Sequence, residues 1–349
     1  MSEDLSQIVA RFDALRSRFD TLYSGASLSD LSSALDTLTG DITKLPGEIA
    51  NVRSRGYAFA SYLEHKAEVL AQNWNPLRVD AQRAISDEAN RLNSEVNRLR
   101  YRVDSGEGLR DNPSALQAQL PDLERGVEMV ESMRNTAEQR VKGIFATLQT
   151  DTSQALSQIQ TINWVLDQKD EASFPFLAGE ALFLAAKAEW VATGKGKDDP
   201  DGILYLTDQR LVFEEKETTG KKLGLFGGKK TQKLEWEIPL HQVTGVKPEN
   251  KGLFGGKDML NFTLGSGAPY ATITVEVKGG VQSKFWAAQI QRMIEGKTTD
   301  ERAIQPDAET LAAIKNAPTA CPSCGGTLPQ LVAGQRQVDC PYCGSVIRI

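Results

Sequence analysis

Four cysteines fall in the last 30 residues of this 349-residue chain and nowhere else, as Cys321-Pro-Ser-Cys324-Gly and Cys340-Pro-Tyr-Cys343-Gly. Two residues separate the sulfurs of each pair, and 15 residues separate the pairs. A cysteine pair with a two-residue gap can bend so that both thiolates reach one ion. Pro322 and Pro341 set φ for the first step of that bend. Gly325 and Gly344 supply the positive φ that the next step needs. Two such bends make a closed four-thiolate site with Cys321, Cys324, Cys340 and Cys343 as ligands. The expectation is one structural Zn2+, with no open position for a substrate.

The pattern is that of a zinc ribbon. Iron in a rubredoxin-like site shares the same bends but normally has a longer spacer and a more aromatic core. A disulfide pair is a third use of four thiols. A RING-type ubiquitin ligase needs two metal sites and is excluded by ligand count. The ribbon, from about Pro318, carries only Arg336 and Arg348 against Asp339. A nucleic-acid reader is normally far more basic, so contact with a protein, or stabilisation alone, is the better expectation. Tyr342 is a candidate contact residue, although packing across the small ribbon is the simpler role.

The remaining titratable residues offer no catalytic constellation. His65 lies in a helical stretch and His241 in a Pro-Leu-His-Gln turn. There is no nucleophile elbow, phosphate-binding glycine loop or paired metal-carboxylate motif. The expectation is a protein that is not an enzyme. The net charge of −6 argues against bulk nucleic-acid binding. With all four thiols assigned to metal, no secretory signal and no membrane-spanning apolar run, the expected location is the cytoplasm or the cytosolic face of a membrane.

Composition changes near residue 172. Arginine supplies 15 of the 19 basic residues up to 170, and lysine 15 of the 17 from 171 to 297. Two differently built regions meet there, with the ribbon as a third. Residues 1–170 read as helix. Leu5, Ile8, Phe12, Leu15, Phe19 and Leu22 alternate at three and four, and so do Leu28 to Leu45 and Ile85 to Val103. Leu116 to Val130 continues the pattern, which resumes at Val141, Leu148, Leu156, Ile159 and Leu166. A 3.5-residue repeat of this kind predicts an antiparallel coiled coil that self-associates or acts as a spacer. Residues 104–113 are the expected reversal between arms 47–103 and 114–170, each about 80 Å long if unbroken. Pro76 and Pro121 are expected to kink or interrupt them. A short helix before a long hairpin is also the layout of phage-shock and ESCRT-type membrane-remodelling proteins. The first helix nevertheless lacks a strongly basic face, because Asp13 and Asp20 interrupt Arg11, Arg16 and Arg18.

Residues 178–297 read as six or seven strands and a closing helix. The strand-like stretches are 181–190, 203–207, 211–213, 234–238, 260–264 and 271–277, and the helix spans 281–294. The expected class is therefore multidomain α and β. Gly202-Ile-Leu-Tyr-Leu-Thr-Asp-Gln-Arg-Leu-Val-Phe213, followed by Trp236-Glu-Ile-Pro-Leu-His-Gln-Val-Thr-Gly-Val246, resembles a GRAM domain or bacterial pleckstrin-homology-like domain. That resemblance implies a β-sandwich with a C-terminal helix, and a ligand that is a lipid headgroup in some members and a protein in others.

One internal repeat has the marks of a contact. Gly224-Leu-Phe-Gly-Gly-Lys229 recurs as Gly252-Leu-Phe-Gly-Gly-Lys257, each time between expected strands. Leu225, Phe226, Leu253 and Phe254 could enter an acyl boundary. Lys221, Lys222, Lys229, Lys230, Lys251 and Lys257 would attract an anionic surface at about 1 kcal/mol each. A protein partner is the next reading, and packing of the phenylalanines on the sandwich the third. Residues 298–317 read as a linker with one short helix at 307–316, leaving the ribbon at 318–349 semi-independent. The whole reads as a non-enzymatic adaptor: a self-associating helical region at 1–170, a GRAM-like docking module and a ribbon contact. The alternative is a nucleic-acid-associated regulatory protein that uses the ribbon.

Overall fold

The computed structural model describes residues 5–195, 198–219, 229–251 and 256–349. It divides into two compact units, Met1–Pro46 with His65–Ser157, and Gly47–Glu64 with Gln158–Ile349. Four helices precede the strands: α1 (Leu5–Gly25), α2 (Ser29–Ser54), α3 (Tyr62–Glu107) and α4 (Pro113–Asp170).

In the first unit the apolar stripes close on one another. Phe12, Leu15, Leu35, Leu38, Leu92, Val96, Val127 and Val141 are all buried. Cross-helix pairs give the directions. Arg11 meets Glu124 and Arg18 meets Glu131, a seven-residue advance on both helices, so α1 and α4 run parallel. Asp13 with Arg110, Arg16 with Glu107 and Tyr23 with Arg100 retreat on one helix as they advance on the other, so α1 and α3 are antiparallel. Trp74 of α3 donates to Thr39 of α2 at 3.1 Å. Close approach is built into the sequence. A Cβ at Gly106 would stand 2.7 Å from the Phe12 ring, and one at Gly126 2.8 Å from Leu99. Exposed ion pairs of this kind stabilise little, so apolar burial holds the bundle and the charges set register. Glu88 is the exception. It is buried and bonded to Arg140 at 2.9 Å and Arg91 at 3.2 Å.

Two expectations about this region change. Residues 47–103 are not one arm: α2 ends at Ser54, the chain reverses, and α3 starts at Tyr62. Gly56, at φ +85°, ends α2, and a side chain holds the reversal that follows. The Arg53 guanidinium donates to the carbonyls of Tyr57, Phe59 and Ala60 at 2.9, 2.5 and 2.9 Å and pairs with Glu64. Pro76 and Pro121 lie inside helices that continue through them. The stripe of α1 is buried within the chain, so the unattached amphipathic helix of the membrane-remodelling layout is not what α1 forms.

The second unit holds a seven-stranded antiparallel sheet. Its strands are β1 (Leu182–Trp190), β2 (Asp201–Thr207), β3 (Arg210–Thr219), β4 (Lys229–Pro239), β5 (Val243–Lys251), β6 (Lys257–Leu264) and β7 (Thr272–Val277). Their order is β4-β3-β2-β1-β7-β6-β5, and α5 (Ser283–Ile294) packs on β5 and β6 through Trp286, Ile290 and Met293. Seven antiparallel strands closed by a C-terminal helix are the layout of the pleckstrin-homology fold. Gly202 is required where β2 and β3 cross closely, since a Cβ there would lie 2.0 Å from the Glu214 carbonyl oxygen.

The boundary at 170 is not a joint between separate bodies. Val165 near the end of α4 shares a core with Phe174, Leu182, Ala185, Ile203, Tyr205 and Val212. The Phe59 ring, from the α2–α3 reversal, stands edge-on to Phe183 at 4.9 Å. Residues 298–317 are likewise more than a linker. Ala303 donates to the Ala58 carbonyl at 2.7 Å, and Ser61 to the Glu301 carbonyl at 3.0 Å. Arg302 pairs with Asp208 and lies over the Phe59 ring. The short helix α6 (Ala308–Asn316) is capped by Asp307, which accepts from the Thr310 amide. Residues 318–349 end in the hairpin β8 (Gln337–Asp339) and β9 (Val346–Arg348) and belong to the same compact unit as the sheet.

Candidate functional site

The two cysteine bends form as their residues dictate. The Gly325 amide donates to the Cys321 carbonyl at 2.8 Å, and Gly344 to Cys340 at 2.9 Å, with φ of +75° and +74° at the two glycines. All four sulfurs lie within 4.8 Å of one another. Cys321 and Cys343 are 3.7 Å apart, and Cys324 and Cys340 3.6 Å. A tetrahedron with metal–sulfur bonds of about 2.3 Å has edges of about 3.8 Å. A disulfide needs sulfurs about 2.0 Å apart, and all four thiols are free. The donor set and spacing therefore fit a metal ion.

The surroundings favour thiolate at part of the cluster. Hydrogen bonding to Ser345 brings Cys343 down to about 6. Burial opposes ionisation of Cys321, but the Ser323 and Cys324 amides outweigh it and lower its pKa. The Gly326 amide favours the Cys324 thiolate, yet the neighbouring Cys343 and Cys340 sulfurs push it up to about 12. A bound cation would supply the missing charge and release protons from the cluster.

The Gly-Leu-Phe-Gly-Gly-Lys copies are divided by what is described. Lys221, Lys222, Leu225, Phe226, Leu253 and Phe254 lie outside the described residues. Lys229 and Lys230 open β4, paired with Thr219 and Thr218. Lys251 and Lys257 face each other across β5 and β6. Lys251 pairs with Glu249 at 3.0 Å and Lys257 with Glu276 at 2.7 Å. The register separates the copies. β3 runs with β1 and β5 runs against it, so the β3–β4 connection leaves one end of the sheet and the β5–β6 connection the other. The sequence reading treated the repeat as one paired contact. Alternating strand direction makes β3 and β5, the strands before the two copies, finish at opposite ends.

The end where β1 and β3 finish carries a cluster of carboxylates, with Lys233 paired to Glu235 at 2.8 Å. A pocket of about 360 Å3 there is lined by Trp190, Asp198, Asp199, Glu215, Glu217 and Glu235. Burial, then the charges of Glu217 and Glu235, raises the Glu215 pKa. Trp190 belongs to an aromatic group with Phe213, Trp236 and Tyr270, in which Phe213 and Trp236 stack at 5.7 Å.

His65 is exposed on α3, 3.9 Å from Glu68, and His241 sits in a single 3-10 turn after Pro239. The sequence reading missed Glu180 and Glu214. Glu214 is fully buried and accepts from the Ser173 amide at 2.7 Å, the Tyr205 hydroxyl at 3.0 Å and Gln232 at 3.0 Å. Arg210 lay within the quoted motif, but nothing in the sequence pointed to its partner, 30 residues upstream.

No family model and no curated protein matches the chain. Among solved structures, a pleckstrin homology domain from Shewanella amazonensis SB2B is similar at 19% identity, covering 38% of this chain and 97% of that one, with a TM-score of 0.24. The Vps36 N-terminal PH domain is similar at 13% identity over 35% and 83%, TM-score 0.24. The DH/PH domains of PDZ-RhoGEF, solved with GTP-gamma-S activated RhoA, are similar at 12% identity over 82% and 94%, TM-score 0.26.

Proposed function

We propose that this chain is a non-enzymatic docking protein built on a GRAM-type sandwich, with one structural zinc held by Cys321, Cys324, Cys340 and Cys343. The helical region serves as a spacer. Its seams are satisfied within one chain, which favours that role over the self-association expected of a coiled coil. The observation that carries the docking reading is the fusion of helix ends, sheet and ribbon in one compact unit, a stiff platform with loops at both ends of its sheet. A protein surface is the preferred partner. The described lysines beside the second repeat are already paired with glutamates, and the end of the sheet where β1 and β3 finish carries a pocket lined by five carboxylates. An anionic membrane would be repelled by that end more than a basic protein segment would.

The membrane reading keeps one specific support, the lysine-flanked Leu-Phe pairs of the repeat. The two readings separate when the full chain is spun with anionic and neutral vesicles at about 150 mM salt, where weak charge effects are screened. No pelleting of the wild type supports the protein reading. Pelleting on anionic vesicles that is lost in Phe226→Ser establishes the membrane one. A nucleic-acid role through the ribbon has little charge to draw on, since Arg336 already faces Glu309 at 3.9 Å.

A further inference from the structure

The ribbon does more than hold its own fold. Residues 174–181, which lead from α4 to β1, are gripped from two sides. On the sheet side, Arg210 donates to the Pro175 carbonyl at 2.7 Å and to Glu180 at 2.9 Å, and Gln209 donates to the Ala178 carbonyl at 3.1 Å. On the ribbon side, the Ala178 amide donates to the Leu331 carbonyl at 2.7 Å, and the Ala333 amide to the Phe176 carbonyl at 2.9 Å. Leu177 and Val332 thus pair as a strand bridge outside either sheet.

The same place is where one cysteine of each pair, Cys321 and Cys340, is buried. Ala178 shares one apolar cluster with Cys321, Cys340, Leu328, Leu331, Val338 and Ile347. Two of its seven buried members are metal-site sulfurs, one from each bend. So small a cluster cannot hold a 32-residue ribbon in register without the ion, because domains of this size depend on a metal or disulfides for their folding energy. Without the ion, the carbonyl of Leu331 and the amide of Ala333 lose their fixed positions.

We propose that the four-cysteine cluster is a metal-dependent latch on residues 176–178, stiffening the junction between α4 and β1 when an ion is bound. The proposal rests on the metal reading above and adds a consequence outside the ribbon. Chelation opens the ribbon-side grip and leaves the grip of Arg210 on Glu180 in place. The loosening is therefore confined to the residues that precede Gly179.

Hydrogen exchange of the full-length protein tests this, alongside elemental analysis of the same sample. In metal-loaded protein the Ala178 amide is protected, and chelation lowers its protection about tenfold or more, while amides in the 116–148 stretch of α4 are unchanged. Metal-loaded protein whose Ala178 stays protected after chelation overturns the latch. Protein that carries no metal after metal-replete expression and yet protects Ala178 overturns the metal reading itself, a separate result.

Discussion

Arg210 and Glu180 form a two-pronged ion pair inside the second unit, with Nε and Nη2 each 2.9 Å from a carboxylate oxygen and the Glu180 side chain wholly buried. Thr207 completes it, donating to Glu180 at 2.7 Å while its oxygen accepts from the Arg210 amide at 2.9 Å. The Leu-Thr-Asp-Gln-Arg segment is therefore a device for seating the chain that enters β1. Burial opposes the charge of Arg210, but its pairs with Glu180 and Glu237 raise its pKa above the ordinary value.

Removing one partner leaves the other charge buried. Arg210→Met should cost about 3–5 kcal/mol in denaturant unfolding. The double variant Glu180→Leu/Arg210→Met should recover a large part of that loss. A loss below about 1 kcal/mol in the single variant would mean the pair is not buried as described.

Gly202→Ala places a Cβ against the Glu214 carbonyl, a backbone atom that cannot swing aside. The expected destabilisation is about 1–3 kcal/mol, with a lower melting temperature. Gly245→Ala, where the nearest atom to a Cβ is 3.7 Å away, is the control and should change little.

Asp at Leu92 or Leu99 would set an unpaired charge in the closed seam, since both leucines are buried. Each variant should lose several kcal/mol of stability, read as a fall in helical circular dichroism on mild heating. A helical signal as heat-resistant as the wild type would show that the seam does not hold the bundle.

Cys340→Ser should abolish binding of one zinc per chain and lower the melting temperature of the second unit, because metal binding is folding energy for a small four-thiolate site. Full metal occupancy in this variant would be incompatible with a four-cysteine site.

Local spacing made much of this legible in the sequence. The cysteine bends, the helical stripes, the strand stretches and the closing helix each depend on neighbours within a few residues. Ile8 to Leu22 and the Trp286–Met293 face are buried where periodicity put them. Misreadings arose where a distant group made the decision. Gly56 ends α2, but the path of the α2–α3 reversal depends on Arg53, which caps three carbonyls. Residues 298–317 read as a linker because the partners of Ala303 and Arg302 lie far upstream.

The sequence by itself determined what short-range chemistry can specify: four thiols at metal-site spacing, amphipathic helices, and strands joined by glycine-rich turns. Only the tertiary structure decided what those pieces face. Strand direction, fixed by six antiparallel pairings, made the strands that precede two identical hexapeptides, β3 and β5, finish at opposite ends of one sheet. Burial converted Glu180, Arg210 and Glu214 from apparent surface charges into the polar framework of the core, because a charge removed from water persists only beside partners that replace the water. No spacing rule reaches across the 30 residues that separate Arg210 from Glu180.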